Sequence, residues 1–364
     1  LDTITQGLLG AACGQAALGH RLGRRALLFG ALGGLLPDLD VLPIAVLGSL
    51  AEWKYHRGLT HTLWFGPVVG PALGYVAWRA HRSRARAGAD PPGAWRDWGW
   101  LFVLALFTHP LLDAFTTYGT LLLWPFSSHR FALDAVAIVD PVYSLILFAS
   151  LALGAAWGPG RLRSRLAAGA ALALSTAFLL YALALNRRAE ASAAAWLPGA
   201  SWTVDAYPTL FQPWLRRVVA REGSEVRVGF LSLLRPRPIE WRGFTDVGGP
   251  LVEAVYDTPE GRLLRWFAMD RTAARVASGP GGALVEIEDL RYGWGRDPSQ
   301  GLWGIRARFD DAGRMLGPPT RFNRRPADAG EALARIWRET FVSATRMSAP
   351  SPGHRRPAPR SGAR

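Results

Sequence analysis

Residues 26–50 read ALLFGALGGLLPDLDVLPIAVLGSL, an apolar run long enough to cross a bilayer with two aspartates, Asp38 and Asp40, lodged between two prolines near its centre. Ionisable groups in such segments are costly and mark functional sites. Pro37 and Pro43 break the helix and free backbone groups, which is tolerated at membrane depth only against protein or a wet cavity. Two further motifs share the pattern. His56 and His61 frame HRGLTH ahead of an apolar run, and LFVLALFTHPLLDAF carries His109 and Asp113 four residues apart, on one helix face. Six groups, all carboxylate or imidazole, read as ligands of a divalent metal: Asp38, Asp40, His56, His61, His109 and Asp113. Zinc suits them best, with manganese or magnesium as alternatives.

Working outward, five apolar stretches, 26–50, 59–78, 98–117, 135–157 and 166–185, each approach the ~20 residues that span a membrane. Arginines cluster at 21–25, 79–96 and 161–165, alternating along the chain as cytoplasmic loops do. Residues 51–58, 118–134 and everything after Arg187 then fall outside. The expected fold is a mainly α, polytopic membrane helical bundle over residues 1–188. A small antiparallel β (α+β) domain is expected over 189–346 and a disordered tail over 347–364. In the second half VRVGFLSLL, LVEAVYDT, LLRWFAM, ALVEIEDLRYG and WGIRARFDD read as strands. A helix carrying Leu333, Ile336, Trp337 and Phe341 on one face follows.

The formal charge of +14 rests almost wholly on arginine, with Lys54 the sole lysine. Placement in loops and tail favours topology over nucleic-acid binding as its cause. The single Cys13 excludes an intramolecular disulfide and a cysteine-based zinc site. No cleavable signal peptide is expected.

Loop charge fixes a depth for each candidate. At ~1.5 Å per helical residue, Asp38, His61, His109, Asp113 and Gln6 all fall about 20–27 Å from the cytoplasmic arginines. They therefore converge on the outer third of a ~30 Å core. Competing roles exist. Asp38 or Asp40 can cap a broken helix, Thr60 can cap the helix after it, and Asp140 in VDP can cap the next. Arg57 and Arg130 can bind anionic substrate groups or be interfacial, and Asp134 and Asp140 are secondary site candidates.

Together, LDTITQGLLGAACG, LLPDLDVL, HRGLTHTLWF, THPLLDAFTTYGT, LLWPFSSHRFALD and VDPVYSL resemble the YdjM/YbcI family, described as inner-membrane metal-dependent hydrolases. The family is in turn distantly similar to zinc-dependent phospholipase C enzymes, an analogy at the level of fold. The resemblance implies a metal-dependent hydrolase in the bacterial cytoplasmic membrane, acting on a lipid or lipid-linked (phospho)ester at the outer face, with Asp38 or Asp40 as a catalytic group. Where the family pattern supplies histidine in its N-terminal TH motif, this chain has Gln6, a poorer zinc ligand. The alternatives are a non-catalytic stress-response or interaction protein with a structural metal, and an ion or proton transporter.

Overall fold

Small residues and proline decide how the first half folds. The computed structural model describes residues 1–84, 93–235, 237–293, 297, 299–324 and 328–341. The tail expected at 347–364 lies outside them. Asp2 caps α1 (Thr3–Leu22) by accepting from the Thr5 amide at 3.0 Å. Gly23, at φ 56°, turns the chain into α2 (Arg24–Leu35). Gly10 and Gly30 meet where these helices cross: a Cβ on Gly30 would lie 2.4 Å from the Gly10 carbonyl oxygen. This is the small-residue packing that lets membrane helices approach closely.

Pro37 then converts the run to a 3-10 turn, Leu36–Asp40, followed by α3 (Val41–Ile44) and α4 (Ala51–Tyr55). A second 3-10 turn, Leu59–His61, precedes α5 (Phe65–Arg84), which pairs with α6 (Trp95–Asp113). Gly66, Gly70 and Gly74 form a stripe whose added Cβ atoms would stand 2.3–3.0 Å from the α6 backbone. A third hairpin joins α7 (Pro141–Trp157) to α8 (Leu162–Ala194), which runs past residue 188.

The basic turns of the three hairpins gather at one end. Arg21 Nη1 pairs with Asp97 Oδ1 at 2.5 Å, and a Cβ on Gly160 would lie 2.8 Å from the Gly19 carbonyl. Among the described residues two helical segments, Arg24–Ile44 and Leu162–Ala194, are long and apolar enough to cross a membrane, and Pro141–Trp157 is apolar but shorter. Of the five stretches expected, the others lose length or hydropathy: 135–157 becomes helical only from Pro141, and 59–78 begins in the 3-10 turn.

The second half holds two antiparallel four-stranded sheets where one was expected. The first is β1 (Thr203–Pro208), β2 (Leu215–Glu222), β3 (Glu225–Ser232) and β4 (Arg242–Thr245). The second is β5 (Thr272–Gly279), β6 (Gly282–Asp289), β7 (Trp303–Phe309) and β8 (Thr320–Asn323). Between them LVEAVYDT and LLRWFAM form helices α9 (Pro250–Tyr256) and α10 (Pro259–Phe267) rather than strands. Each has proline in its first turn, and Thr258 Oγ1 caps α10 by accepting from the Gly261 amide at 3.0 Å. Their apolar residues also fit a 3.6 period, an ambiguity short runs always carry. On α11 (Ala329–Phe341) Ala332 and Thr340 are buried, whereas Leu333 and Trp337 of the expected apolar face are exposed.

The halves share a core. Trp53 of α4, fully buried, stacks on Phe267 of α10 at 5.3 Å amid Val255, Ile287 and Ile305. Buried Arg291 pairs with Asp289 at 2.7 Å and donates to the Thr117 carbonyl at 2.9 Å. Buried Arg216 donates to the carbonyls of Asp134, Ala135 and Ala182.

Two outcomes follow from this packing. Gly30→Ala forces a backbone clash and should lower stability by about 1–3 kcal/mol. Gly169→Ala, with open space around it, should be neutral or gain up to about 1 kcal/mol; thermal unfolding in detergent compares them. Burial also pushes the Asp134 carboxyl up to about 6. A folded-state value above the unfolded one means stability is lost as pH rises from about 4 through about 6. The wild-type melting temperature should fall across that window, and Asp134→Asn should flatten the fall.

Candidate metal centre

The ends of the hairpins opposite the basic turns bring four side chains together. Asp38 comes from the 3-10 turn after α2, His61 from the second 3-10 turn, and His109 and Asp113 from the last turn of α6. One ligand atom from each lies within 4.8 Å of the other three, so the four could hold a metal ion. His61 Nε2 is 3.0 Å from His109 Nε2, 3.5 Å from Asp38 Oδ1 and 3.4 Å from Asp113 Oδ2. His109 Nε2 is 3.4 Å from Asp38 Oδ1 and 3.6 Å from Asp113 Oδ2. Four ligands at bonds of about 2.0–2.1 Å around a tetrahedral ion would stand about 3.3 Å apart, so these edges match that shape.

The hydrogen-bond network assigns the imidazole tautomers. His109 Nδ1 faces the Gly34 carbonyl at 2.7 Å, which can only accept, so Nδ1 carries a proton and Nε2 is turned toward the cluster. Thr60 Oγ1 lies 3.2 Å from Asp40 Oδ2 and 3.0 Å from His61 Nδ1. Its hydroxyl donates to the carboxylate and its oxygen accepts from His61 Nδ1–H, which turns His61 Nε2 toward the cluster. The two Nε2 atoms thus stand 3.0 Å apart beside two carboxylate oxygens. Asp38 Oδ2 and Asp113 Oδ2 are buried without a hydrogen-bond donor. A cation would satisfy the two Nε2 atoms, Asp38 Oδ1 and Asp113 Oδ2, and both histidines are oriented by outer partners as metal-bound imidazoles are.

Asp40 and His56 stand one layer out. Asp40 Oδ1 meets His56 Nδ1 at 2.8 Å, and Oδ2 accepts from the Arg57 amide at 3.2 Å. Their place is behind His61, whose ring lies 5.6 Å from that of His56. Asp40 makes no capping hydrogen bond to α3, and Thr60 serves Asp40 and His61 instead of capping α5.

Arg57 has its Nε 3.2 Å from Asp113 Oδ2, at ion-pair distance without hydrogen-bond alignment. It donates to Thr116 Oγ1 at 2.7 Å and sits over the Tyr118 ring. Its φ of 60° is a strained backbone setting for a residue with a side chain. Arg130 is also buried, over Tyr118, Trp266 and Phe267, and donates to the Gly119 carbonyl. Burial pushes its guanidinium down to about 9. Asp140 caps α7 by accepting from the amides of Val142 and Tyr143, and Asp134 lies in the seam to the C-terminal half.

Gln6 lies beside Asp113. Its Nε2 donates to Asp113 Oδ1 at 3.0 Å and to the His109 carbonyl at 3.2 Å, while its buried Oε1 has no partner. The backbone nitrogen of Leu1 also meets Asp113 Oδ1. Sequence reasoning missed the Gly34 carbonyl and the Thr60 bridge. A backbone acceptor leaves no trace in residue type, although HRGLTH did hold the threonine.

With this geometry in place, similarity to known proteins becomes informative. The family described as YdjM inner membrane protein matches residues 1–190, which contain all four clustered side chains. Inner membrane protein YbcI of Escherichia coli (strain K12) is 35% identical over 122 residues, covering 33% of this chain and 65% of that protein. No solved structure matches the chain. The family match spans more than half of the sequence, and the chain belongs to the YdjM inner membrane protein family.

Proposed function

We propose that the protein is a membrane-bound, metal-dependent hydrolase, acting on a lipid or lipid-linked (phospho)ester at the outer face of the cytoplasmic membrane. One observation carries the reading: two imidazole nitrogens and two carboxylates gathered at close to tetrahedral edge lengths, with Arg57 standing 3.2 Å from Asp113 Oδ2. Zinc suits the mixed nitrogen and oxygen donors. When bound, the ion supplies Lewis-acid activation of water and of the scissile group.

The chain's own residues divide the remaining tasks. Asp38 is the accessible edge of the site, its side chain 14% exposed against 0–1% for His61, His109 and Asp113. Water and substrate therefore approach past Asp38, whose free Oδ2 can accept a proton from an attacking water. Asp40, through Thr60, keeps His61 in the tautomer that presents a lone pair. Arg57 sets a positive charge beside Asp113, where an anionic ester oxygen gains a charge-assisted partner. The three hairpins act as a multi-pass anchor with their basic turns in the cytoplasm and the β-sheets outside. Apolar Leu28, Phe148, Leu174 and Leu180 face outward along them, as a bilayer requires.

A second reading, a structural-metal or interaction protein without hydrolysis, draws on Gln6. Its amide occupies Asp113 Oδ1 at the position where the family pattern has imidazole.

Five measurements test these assignments. Metal analysis of purified protein should find divalent metal that His109→Ala and Asp113→Ala abolish. Thr60→Val should weaken metal affinity about 10–100-fold, the usual range for an outer-layer partner. Asp38→Ala should remove lipid or phosphoester hydrolysis while leaving the melting temperature near wild type; a fully active variant would refute the role given to it. Gln6→His should raise metal affinity by replacing an amide with imidazole, and unchanged affinity would show that position to be no ligand site. Reporter fusions at Ala87 and Gly261 should give opposite signals, and equal signals would refute the topology.

A further inference from the structure

A groove of about 940 Å³ runs along the seam between the two halves and reaches Asp40 and Thr60, one layer out from the candidate metal site. Ile44, Leu47, Leu121 and Trp124 form one wall, and Leu263 and Trp266 of α10 form the other. Asp40 and Thr60 also line it, and they are the residues that orient His61. The C-terminal half is fixed against this groove: Trp266 Nε1 donates to the Ser128 carbonyl at 2.9 Å, and Trp53 stacks on Phe267. Its volume falls at the upper end of the roughly 300–1,000 Å³ of small-molecule sites.

The location of the groove selects its occupant. Ile44 is the last residue of the apolar segment Arg24–Ile44, which is long enough to cross a bilayer. From there Leu42, Val46 and Leu47, which are 66%, 85% and 61% exposed, carry the apolar surface to the groove. An exposed apolar path of this kind marks a membrane or partner contact, and its continuity with the span makes bilayer hydrocarbon the medium that covers it. A lipid tail can enter along that path without crossing water.

Resting on the hydrolase reading above, we infer that α10 makes the C-terminal half one wall of a tail-binding site. The occupant is a membrane glycerophospholipid, with its acyl chain between α10 and the segment 43–47 and its phosphate toward the Thr60 end of the lining. Exposed Lys54 and Arg262 on the lining add cationic partners for the headgroup, partly offset by Glu260. The C-terminal half would then select substrate by its hydrocarbon, and the metal site would act only on what the groove presents.

The test uses the full chain in phosphatidylcholine nanodiscs doped with phosphatidylglycerol carrying a photoactivatable diazirine in its acyl chain. Mass spectrometry should place adducts on the segments around Leu47 and Leu263. Leu47→Trp and Leu263→Trp, each filling the groove, should lower those adducts about tenfold or more, the scale of discrimination that pocket filling gives. Leu47 is surface-exposed, so its variant keeps the fold. Adducts spread evenly over the outward faces of the helices, or groove adducts that survive both variants, would overturn the proposal. Hydrolysis of the soluble ester bis(p-nitrophenyl) phosphate separates the two claims. If wild type labels in the groove yet hydrolyses neither lipid nor soluble ester, the tail site stands and the hydrolase reading fails. If both variants keep soluble-ester hydrolysis and lose lipid hydrolysis, both claims hold.

Discussion

The architecture of the helical half converges on two imidazole nitrogens held 3.0 Å apart beside two carboxylates. Burying these groups together is costly. Protein interiors do not keep such groups together unless something satisfies them. Each surrounding element is set to hold them in place: the Gly34 carbonyl fixes one ring, the Thr60–Asp40 pair the other, and Gln6 restrains Asp113. Four separate chain segments supply these groups. The hairpin geometry follows from bringing their non-basic ends to one level.

Much of this was legible because membrane-like segments make polar residues conspicuous. The spacing of His109 and Asp113 put both on one face, and loop arginines set the depth at which Asp38, His61 and Gln6 meet them. The three basic turns contact one another at the end opposite this cluster. What stayed hidden was layering. In sequence Asp38 and Asp40 look equivalent, yet the 3-10 turn places one toward His109 and the other toward His56. Composition also overstated the number of membrane-length helices: 135–157 is helical only from Pro141, and 59–78 begins in a 3-10 turn. In the second half, LVEAVYDT and LLRWFAM fit both periods, and proline at the helix start, which settles the matter, was given too little weight.

The union of the two halves is the feature that length and composition concealed most completely. A domain boundary near 188 suggests two bodies, but Trp53 lies in the core of the second sheet and Arg291 reaches back to the Thr117 carbonyl. Buried arginines that donate to backbone carbonyls of the other half make separation costly, since each guanidinium would be left without its partners. The loop 118–134 runs between the metal ligands of α6 and this seam. A rigid seam thereby holds the end of α6 that carries Asp113.

Close helix packing and metal chemistry meet at one residue. A Cβ on Gly34 would lie 2.3 Å from the Gln6 carbonyl oxygen, so glycine there lets α1 approach α2. The same residue offers its carbonyl to His109 Nδ1, and the preceding Gly33 lies where a Cβ would be 2.9 Å from Ala105 of α6. Any side chain at these positions would push α1 or α6 outward. Gln6, His109 and the Gly34 carbonyl would then separate together. The glycines in GGLLPDLD thus do more than permit tight packing: they set the distance at which a backbone oxygen orients the imidazole of a candidate ligand.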